Sequence, residues 1–301
     1  MNPQRMIEKN LRLERSRPWA VCDRIASEGG STLWKASRSL SPERRRFFSA
    51  AYASMRVIDD RIDCEFLTLP PENRDAERGR VLGDLEDWRS RFTAAAEGSP
   101  APGDEIAEAV RETVGKSDLG SRAWSLLARS LERDVREEPI GSWDDFLSYA
   151  EGAAVAPASV FVYLLESDPD AGGFQLRERI SLMDAARNLA VFCYLVHILR
   201  DLVVDVTGSP QLVSVPRDLL RAEGLSFDRF RASLLEGEYG RVEPVLRFLA
   251  DRARTFRAGA AADRERFRPR GSDVLAGFER TYDAVLAEAC RRYGLAERRT
   301  R

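Results

Sequence analysis

Several residue types on which common catalytic schemes depend are scarce in this chain of 301 residues. One histidine, His197, excludes schemes that need two, and four widely separated cysteines predict neither a zinc site nor a disulfide framework. Reduced thiols are the default for such cysteines in the cytoplasm. No apolar run approaches the ~20 residues of a membrane span, and the N-terminal stretch lacks an apolar signal core. We therefore expect a cytoplasmic protein without a transmembrane segment.

An excess of charge of either sign is also missing. The chain has 47 basic and 49 acidic residues, so it has no global attraction for nucleic acid or for an anionic membrane surface. Peripheral membrane contact and the oligomeric state stay open. Apolar residues make up 44% of the chain, which is enough for a sizeable core. Any binding of anions must therefore come from a local arrangement of side chains.

Hydrophobic periodicity is helical almost throughout. Ser41 followed by Pro42 is typical of a helix start, with serine as the cap and proline at the first helical position. Short breaks rich in Gly, Pro and Ser separate the helices, and no alternating pattern predicts a sheet. We predict one all-α domain over residues 1–301. Beyond the helix that begins at Pro42, the predicted helices are 81–97, 103–115, 121–136, 142–165, 175–206, 227–235, 241–266 and 272–293.

The first chemically informative motif is Asp59-Asp60-Arg61-Ile62-Asp63. On a helix, Asp59 and Asp63 lie one turn apart on the same face, and Asp60 lies beside them. Arg56 and Tyr52 precede them at helical spacing. The motif therefore predicts a polar stripe on a largely apolar helix.

A second motif, Arg200-Asp201-Leu202-Val203-Val204-Asp205, repeats this spacing within an apolar helix. A DxxxD spacing alone is also common on solvated helix faces. Two such pairs, each beside an arginine on an apolar helix, instead indicate carboxylates that need a cation. Carboxylate oxygens suit Mg²⁺, which often completes its shell with substrate phosphate oxygens. Arg56 and Arg200 could neutralise the rest of a diphosphate.

These blocks resemble the squalene and phytoene synthases. The resemblance covers about residues 27–294 and rests on the blocks STLWKASRSLSPERRRFFSAAYASMRVIDDRID, SYAEGAAVAPASVF, HILRDLVVDVTGSPQLVSVPRDLLRAEGLS and ERTYDAVLAEACRRYG. It implies an all-α isoprenoid synthase fold, in which helices surround a central cavity and two Asp motifs face each other. It also implies a prenyltransferase whose Mg²⁺ ions hold an allylic diphosphate.

The resemblance implies a role for each residue that matches the family's motifs. Mg²⁺ would be bound by the carboxylates of Asp59, Asp60, Asp63, Asp201 and Asp205. The diphosphate would contact Ser31, Arg56 and Arg200, and the reacting carbons would face Tyr52 and Tyr149.

The chain departs from the family where a polar face precedes the second motif. The family usually has Gln and Asn where this chain has Tyr194 and His197, on the same stripe as Asp201. The small-residue run after Tyr149 is also altered, and Pro157 should kink that helix. Tyr194 could stack on a planar acceptor, and His197 could orient or deprotonate one, or could simply donate a hydrogen bond.

Three functions remain after these departures. The first is attachment of a prenyl group to an aromatic, carbazole-like acceptor, as in squalene-synthase-like enzymes of carbazole alkaloid formation. The second is head-to-head condensation of two prenyl diphosphates. The third, a non-enzymatic assembly factor, is the least favoured because both Asp motifs are intact.

Overall fold

Helices form nearly all of the structure, as the sequence predicts. The computed structural model describes residues 17–28, 30–170, 172–176, 180–208 and 213–295. The N-terminal stretch that lacks a signal core is mostly outside these ranges. The helices are α1 (Arg17–Glu28), α2 (Thr32–Ser37), α3 (Pro42–Asp60), α4 (Pro71–Ala96), α5 (Glu105–Thr113), α6 (Arg122–Val135), α7 (Trp143–Ala150), α8 (Ala156–Glu166), α9 (Leu182–Gly208), α10 (Arg217–Ala222), α11 (Phe227–Leu235), α12 (Tyr239–Arg264) and α13 (Pro269–Arg292).

Helix starts follow local chemistry. The Ser41 hydroxyl accepts a hydrogen bond from the Arg44 amide at 3.4 Å, and Pro42 occupies the first turn of α3. Asp104 caps α5 in the same way, because its Oδ1 accepts from two backbone amides at 3.0 and 2.9 Å. These caps satisfy amides that have no partner within the helix.

Turns of π-helix extend two of the helices that surround the site. The segment Arg61–Phe66 continues α3 beyond Asp60, and Glu151–Val155 joins α7 to α8. The second lies directly ahead of Pro157, which therefore sits in the first turn of α8 rather than inside a regular helix. Such turns widen the helix locally and change the direction of the side chains that follow.

Two sequence predictions are wrong in detail. Residues 167–176 contain a small antiparallel ribbon of β1 (Ser167–Asp170) and β2 (Gly173–Leu176), where only a helix break and the start of a helix were expected. Helix α4 begins at Pro71, ten residues before its predicted start, because proline fits the first turn of a helix as well as a loop.

One contiguous core joins the helices. Helix α9 packs against α8, α12 and α13, and α3 packs against α1, α5 and α8. Ser54 ties α3 to two neighbours: the fully buried Trp124 of α6 donates to its hydroxyl at 2.9 Å, and Trp88 of α4 donates to its carbonyl at 2.7 Å. These bonds hold the part of α3 that carries the first Asp motif.

One stretch, Trp143–Glu166, is long and apolar enough by composition to cross a membrane. More than half of its most apolar window is buried inside the protein, at 56%. Burial against α6 and α9 accounts for this apolar character, as in the core helix of many proteins.

Candidate active site

Both Asp motifs open into one cavity of about 370 Å³. It lies between α3, α6, the α7–α8 region and α9. Its lining combines acidic and aromatic groups with apolar side chains, among them Asp59, Asp63, Asp134, Tyr149, Tyr194, His197, Asp201 and Asp205. Helical spacing placed each predicted pair on a common face, and the packing of α3 and α9 brings those faces to one space.

Arginine neutralises part of the first motif. Arg56 donates to Asp59 Oδ2 at 2.7 Å and also pairs with Asp60. Asp60 lies outside the cavity lining and accepts a weak contact from the Cys64 thiol at 3.8 Å. The Nε of Arg56 is buried without a hydrogen-bond partner among the described residues.

Asp63 and Asp205 both line the cavity, and the charges of Arg56 and Arg200 offset only part of the rise in their pKa values. Loss of solvation and then the charge of Asp59 raise the pKa of Asp63 to about 7, and the charge of Asp205 contributes. Loss of solvation and the charge of Asp201 raise the pKa of Asp205 to about 6. Asp63 is nevertheless accessible to solvent, so its carboxylate is crowded by like charges without being fully buried. A cation between the motifs would relieve this repulsion.

The carboxylates of the cavity fit a Mg²⁺ site that is completed by substrate rather than by protein alone. Within the ranges that the structure describes, no three acidic, histidine or cysteine side chains converge on one point. Mg²⁺ usually needs no such cage, because it is held by one or two carboxylates, waters and substrate phosphate oxygens. The lining carboxylates of the two motifs would therefore be able to hold it together with a substrate diphosphate.

Arg200 is directed away from this space. It pairs with its neighbour Asp201, with Nε to Oδ1 at 2.8 Å, and lines a separate surface groove with Arg292. Adjacent residues on a helix point about 100° apart, so Arg200 cannot share the face of Asp201 and Asp205. Neither Arg56 nor Arg200 belongs to the cavity lining, and each pairs with an aspartate that does.

Two further predicted contacts also lie outside the lining. Ser31 caps α2, where its hydroxyl accepts from the Trp34 amide at 3.1 Å. The ring of Tyr52 stacks on Phe48 of its own helix, with ring centres 5.2 Å apart.

Tyr194 and His197 separate the polar cavity from an apolar chamber of about 180 Å³. Both residues line the two spaces, together with Ala153. The Tyr194 hydroxyl lies 3.0 Å from Ser214 Oγ, and its ring stacks on Phe146. The remaining walls of the chamber are almost entirely apolar, and they include Leu33, Pro157, Phe161, Val162, Leu189, Cys193, Leu275, Phe278 and Tyr282.

His197 is anchored to the last helix. Its Nε2 lies 2.9 Å from the Tyr282 hydroxyl. Burial, and then the charge of Arg200, lower the pKa of His197 to about 4. The imidazole is therefore neutral near pH 7 and is a weaker base than a solvated histidine.

Asp134 is a site residue that the sequence analysis did not identify. It lines the cavity on α6, and both of its oxygens lie 3.0 Å from the Tyr149 hydroxyl. Loss of solvation raises the pKa of Asp134 well above its usual value. A signal was present, because Asp134 shares a helix face with Leu127 and Leu131, and an acid on an apolar face is unusual.

The all-α architecture with two facing aspartate motifs defines the class: this is an isoprenoid synthase fold. Similar solved structures support it. A squalene synthase from Alicyclobacillus acidocaldarius has a TM-score of 0.73 at 19% identity, covering 92% of this chain and 94% of that one. A dehydrosqualene synthase has a TM-score of 0.68 at 14% identity, covering 94% and 99%.

The chain belongs to the squalene/phytoene synthase family, whose model matches residues 26–299. This is a family of prenyltransferases, the predicted class of enzyme. The chloroplastic phytoene synthase of Narcissus pseudonarcissus is 23% identical over 206 residues, which cover 68% of this chain and 44% of that protein. Phytoene synthase 1 of Arabidopsis thaliana is 23% identical over 205 residues with the same coverage. The matched region thus spans less than half the length of these relatives.

Proposed function

We propose that this protein is a Mg²⁺-dependent prenyltransferase that ionises an allylic diphosphate and transfers the prenyl group to a second substrate. The observation that carries the proposal is the junction of two unlike spaces. A carboxylate-lined cavity adjoins an apolar chamber through Ala153, Tyr194 and His197. A diphosphate fits the first environment and a prenyl chain fits the second.

Different residues would bind the metal, contact the diphosphate and exclude water. Asp59, Asp63, Asp201 and Asp205 would hold Mg²⁺, with Arg56 beside them. When bound, the metal supplies positive charge that stabilises the diphosphate as the C–O bond breaks. The apolar walls of the chamber exclude water, which would otherwise capture the allylic cation.

We further propose an aromatic acceptor such as an indole or carbazole. The support comes from the two departures at the junction. Tyr194 lies in an aromatic cluster with Phe146 and Tyr149, which suits stacking on a planar ring. His197 is held by Tyr282 and lines both spaces, so its imidazole can hydrogen-bond to an acceptor and orient it.

Head-to-head condensation of two prenyl diphosphates is the second candidate. The family match fits it equally well, and the apolar chamber could hold a hydrocarbon chain of either substrate. The two functions differ only in what occupies the acceptor half of the cavity.

The test is incubation with Mg²⁺ and dimethylallyl, geranyl, farnesyl or geranylgeranyl diphosphate, each with and without indole or carbazole. Diphosphate release and the mass of the products are measured. A prenylated aromatic product supports the first function, and a hydrocarbon without any aromatic product supports the second. No diphosphate release from any allylic substrate would refute both.

A double variant, Tyr194→Gln with His197→Asn, tests the acceptor side. We expect prenylation of the aromatic acceptor to fall about 10²-fold while diphosphate release changes by less than about threefold. Val204→Gln is a matched control, because Val204 lies on the same helix at a 71% exposed position. An equal loss of both rates would mean that the pair serves the diphosphate rather than the acceptor.

A further inference from the structure

Two residues on one face of α6 form hydrogen bonds with Tyr149, one with its backbone and one with its side chain. Ser130 Oγ donates to the Tyr149 carbonyl at 2.8 Å, and Asp134 accepts from the Tyr149 hydroxyl. Residues 130 and 134 are one helical turn apart, so these two contacts share a face.

Close approach of the backbones makes this arrangement possible. A Cβ atom at Gly152, in the π-helical turn, would lie 2.2 Å from the Leu126 carbonyl oxygen and 2.3 Å from Ser130 Oγ. Only glycine permits such an approach. The α7–α8 region is therefore pressed onto α6 just beyond Tyr149, which brings the phenol to Asp134.

Asp134 does not form an ion pair with the adjacent Arg133. The adjacent Arg133 is engaged by Asp145, with Nη1 to Oδ1 at 2.7 Å and Nη2 to Oδ2 at 3.0 Å. Both carboxylate oxygens of Asp134 accept from the Tyr149 hydroxyl, and Asp134 lines the same cavity as Asp59. This carboxylate thus serves the tyrosine at the wall of the reaction space.

We infer that Asp134 is a positioning residue that fixes the Tyr149 phenol where it faces the reacting carbons. The inference rests on the proposed function and adds a residue to it. A tyrosine in a partly apolar wall needs a partner for its hydroxyl, and without one its ring can leave the productive rotamer. A displacement of about 1 Å at a reacting group can cost about 10²-fold in rate.

The experiment is a mutant cycle on the full chain with Asp134→Ala, Tyr149→Phe and the two combined. Diphosphate release is measured for kcat, KM and the Mg²⁺ concentration at half-saturation. We expect each single variant to lower kcat by about 10²-fold with KM and the Mg²⁺ requirement unchanged. The double variant should lose no more than the worse single, because the two residues act as one unit.

Asp134→Asn separates positioning from metal binding. Its amide oxygen can still accept from Tyr149, so kcat should stay within about fivefold of wild type. If the Asp134→Ala protein does not fold, the isosteric Asp134→Asn protein is measured in its place. Glu132→Gln, at an exposed carboxylate on the same helix, is the matched control and should change nothing. Additive losses in the double variant, or a raised Mg²⁺ requirement in the asparagine variant, would overturn the inference.

Crystal structures of the Asp134→Ala and Asp134→Asn proteins give a readout that needs no activity. We expect the Tyr149 ring to be displaced in the alanine variant and retained in the asparagine variant. An unmoved ring in the alanine variant overturns the positioning role. Absence of diphosphate release by the wild type would instead count against the proposed function, and the two crystal structures would still decide the role of Asp134.

Discussion

The negative charge of Asp63 should lower the stability of the metal-free protein. It lies one turn from Asp59 and faces Asp205, and its pKa of about 7 exceeds the value near 3.9 of an unfolded chain. The folded state therefore binds a proton more tightly than the unfolded state does. Stability should fall as pH rises from about 4 to about 7 and then level off. Asp63→Asn removes this dependence and should stabilise the metal-free protein.

The size of the effect follows from the same numbers. A change from about 3.9 to about 7 corresponds to about 4 kcal/mol if it is fully expressed. Asp63 is accessible to solvent, and screening reduces such interactions several-fold. We therefore expect the asparagine variant to be more stable by about 1 kcal/mol at pH 8, with a difference that approaches zero near pH 4.

Urea denaturation with a chelator, at pH 4.5, 6, 7 and 8, measures this difference. Asp87→Asn is the control, because Asp87 is an exposed aspartate on α4 outside the cavity lining. Its effect should not grow with pH. A gain for Asp63→Asn that is the same at every pH, or a loss of stability at pH 8, would refute the reasoning. The same variant should release diphosphate poorly, so stability and activity would change in opposite directions.

Three other predictions test the site and its support. Asp201→Ala should lower diphosphate release by at least about 10²-fold with an unchanged circular dichroism spectrum, and a wild-type rate would contradict its role as a metal ligand. Mg²⁺ and inorganic diphosphate added together at saturating concentrations should raise Tm by about 5 °C, more than either alone, since under the proposed function both would bind only the folded cavity. Trp124→Phe removes the donor to Ser54 and should cost about 1–2 kcal/mol in urea denaturation, whereas no change would show that this bond contributes nothing.

Sequence alone determined the features that depend on neighbours along the chain. Ser41 and Pro42 begin α3 as predicted, and the predicted helix 227–235 coincides with α11. Helical periodicity predicts that Asp59 shares a face with Asp63, and Asp201 with Asp205, and both pairs line the cavity. These predictions succeeded because capping and the 3.6-residue repeat are local properties.

Proline positions predicted helix boundaries less well, because a proline can either lie in the loop before a helix or occupy the first turn of that helix. The predicted helix 81–97 leaves Pro71 in the preceding break, yet Pro71 begins α4. The ribbon of β1 and β2 has only four residues in each strand. Strands this short carry too little periodicity to be distinguished from a loop.

The tertiary structure decided which helix faces meet. Asp134 and Tyr149 are 15 positions apart on different helices, and their contact depends on the π-helical turn and on the fit of Gly152 against α6. Arg200 was expected at the diphosphate, but the rotation of α9 that directs Asp201 inward turns its neighbour outward. Such choices follow from the packing of whole helices, because each rotates as a rigid unit to bury its apolar face.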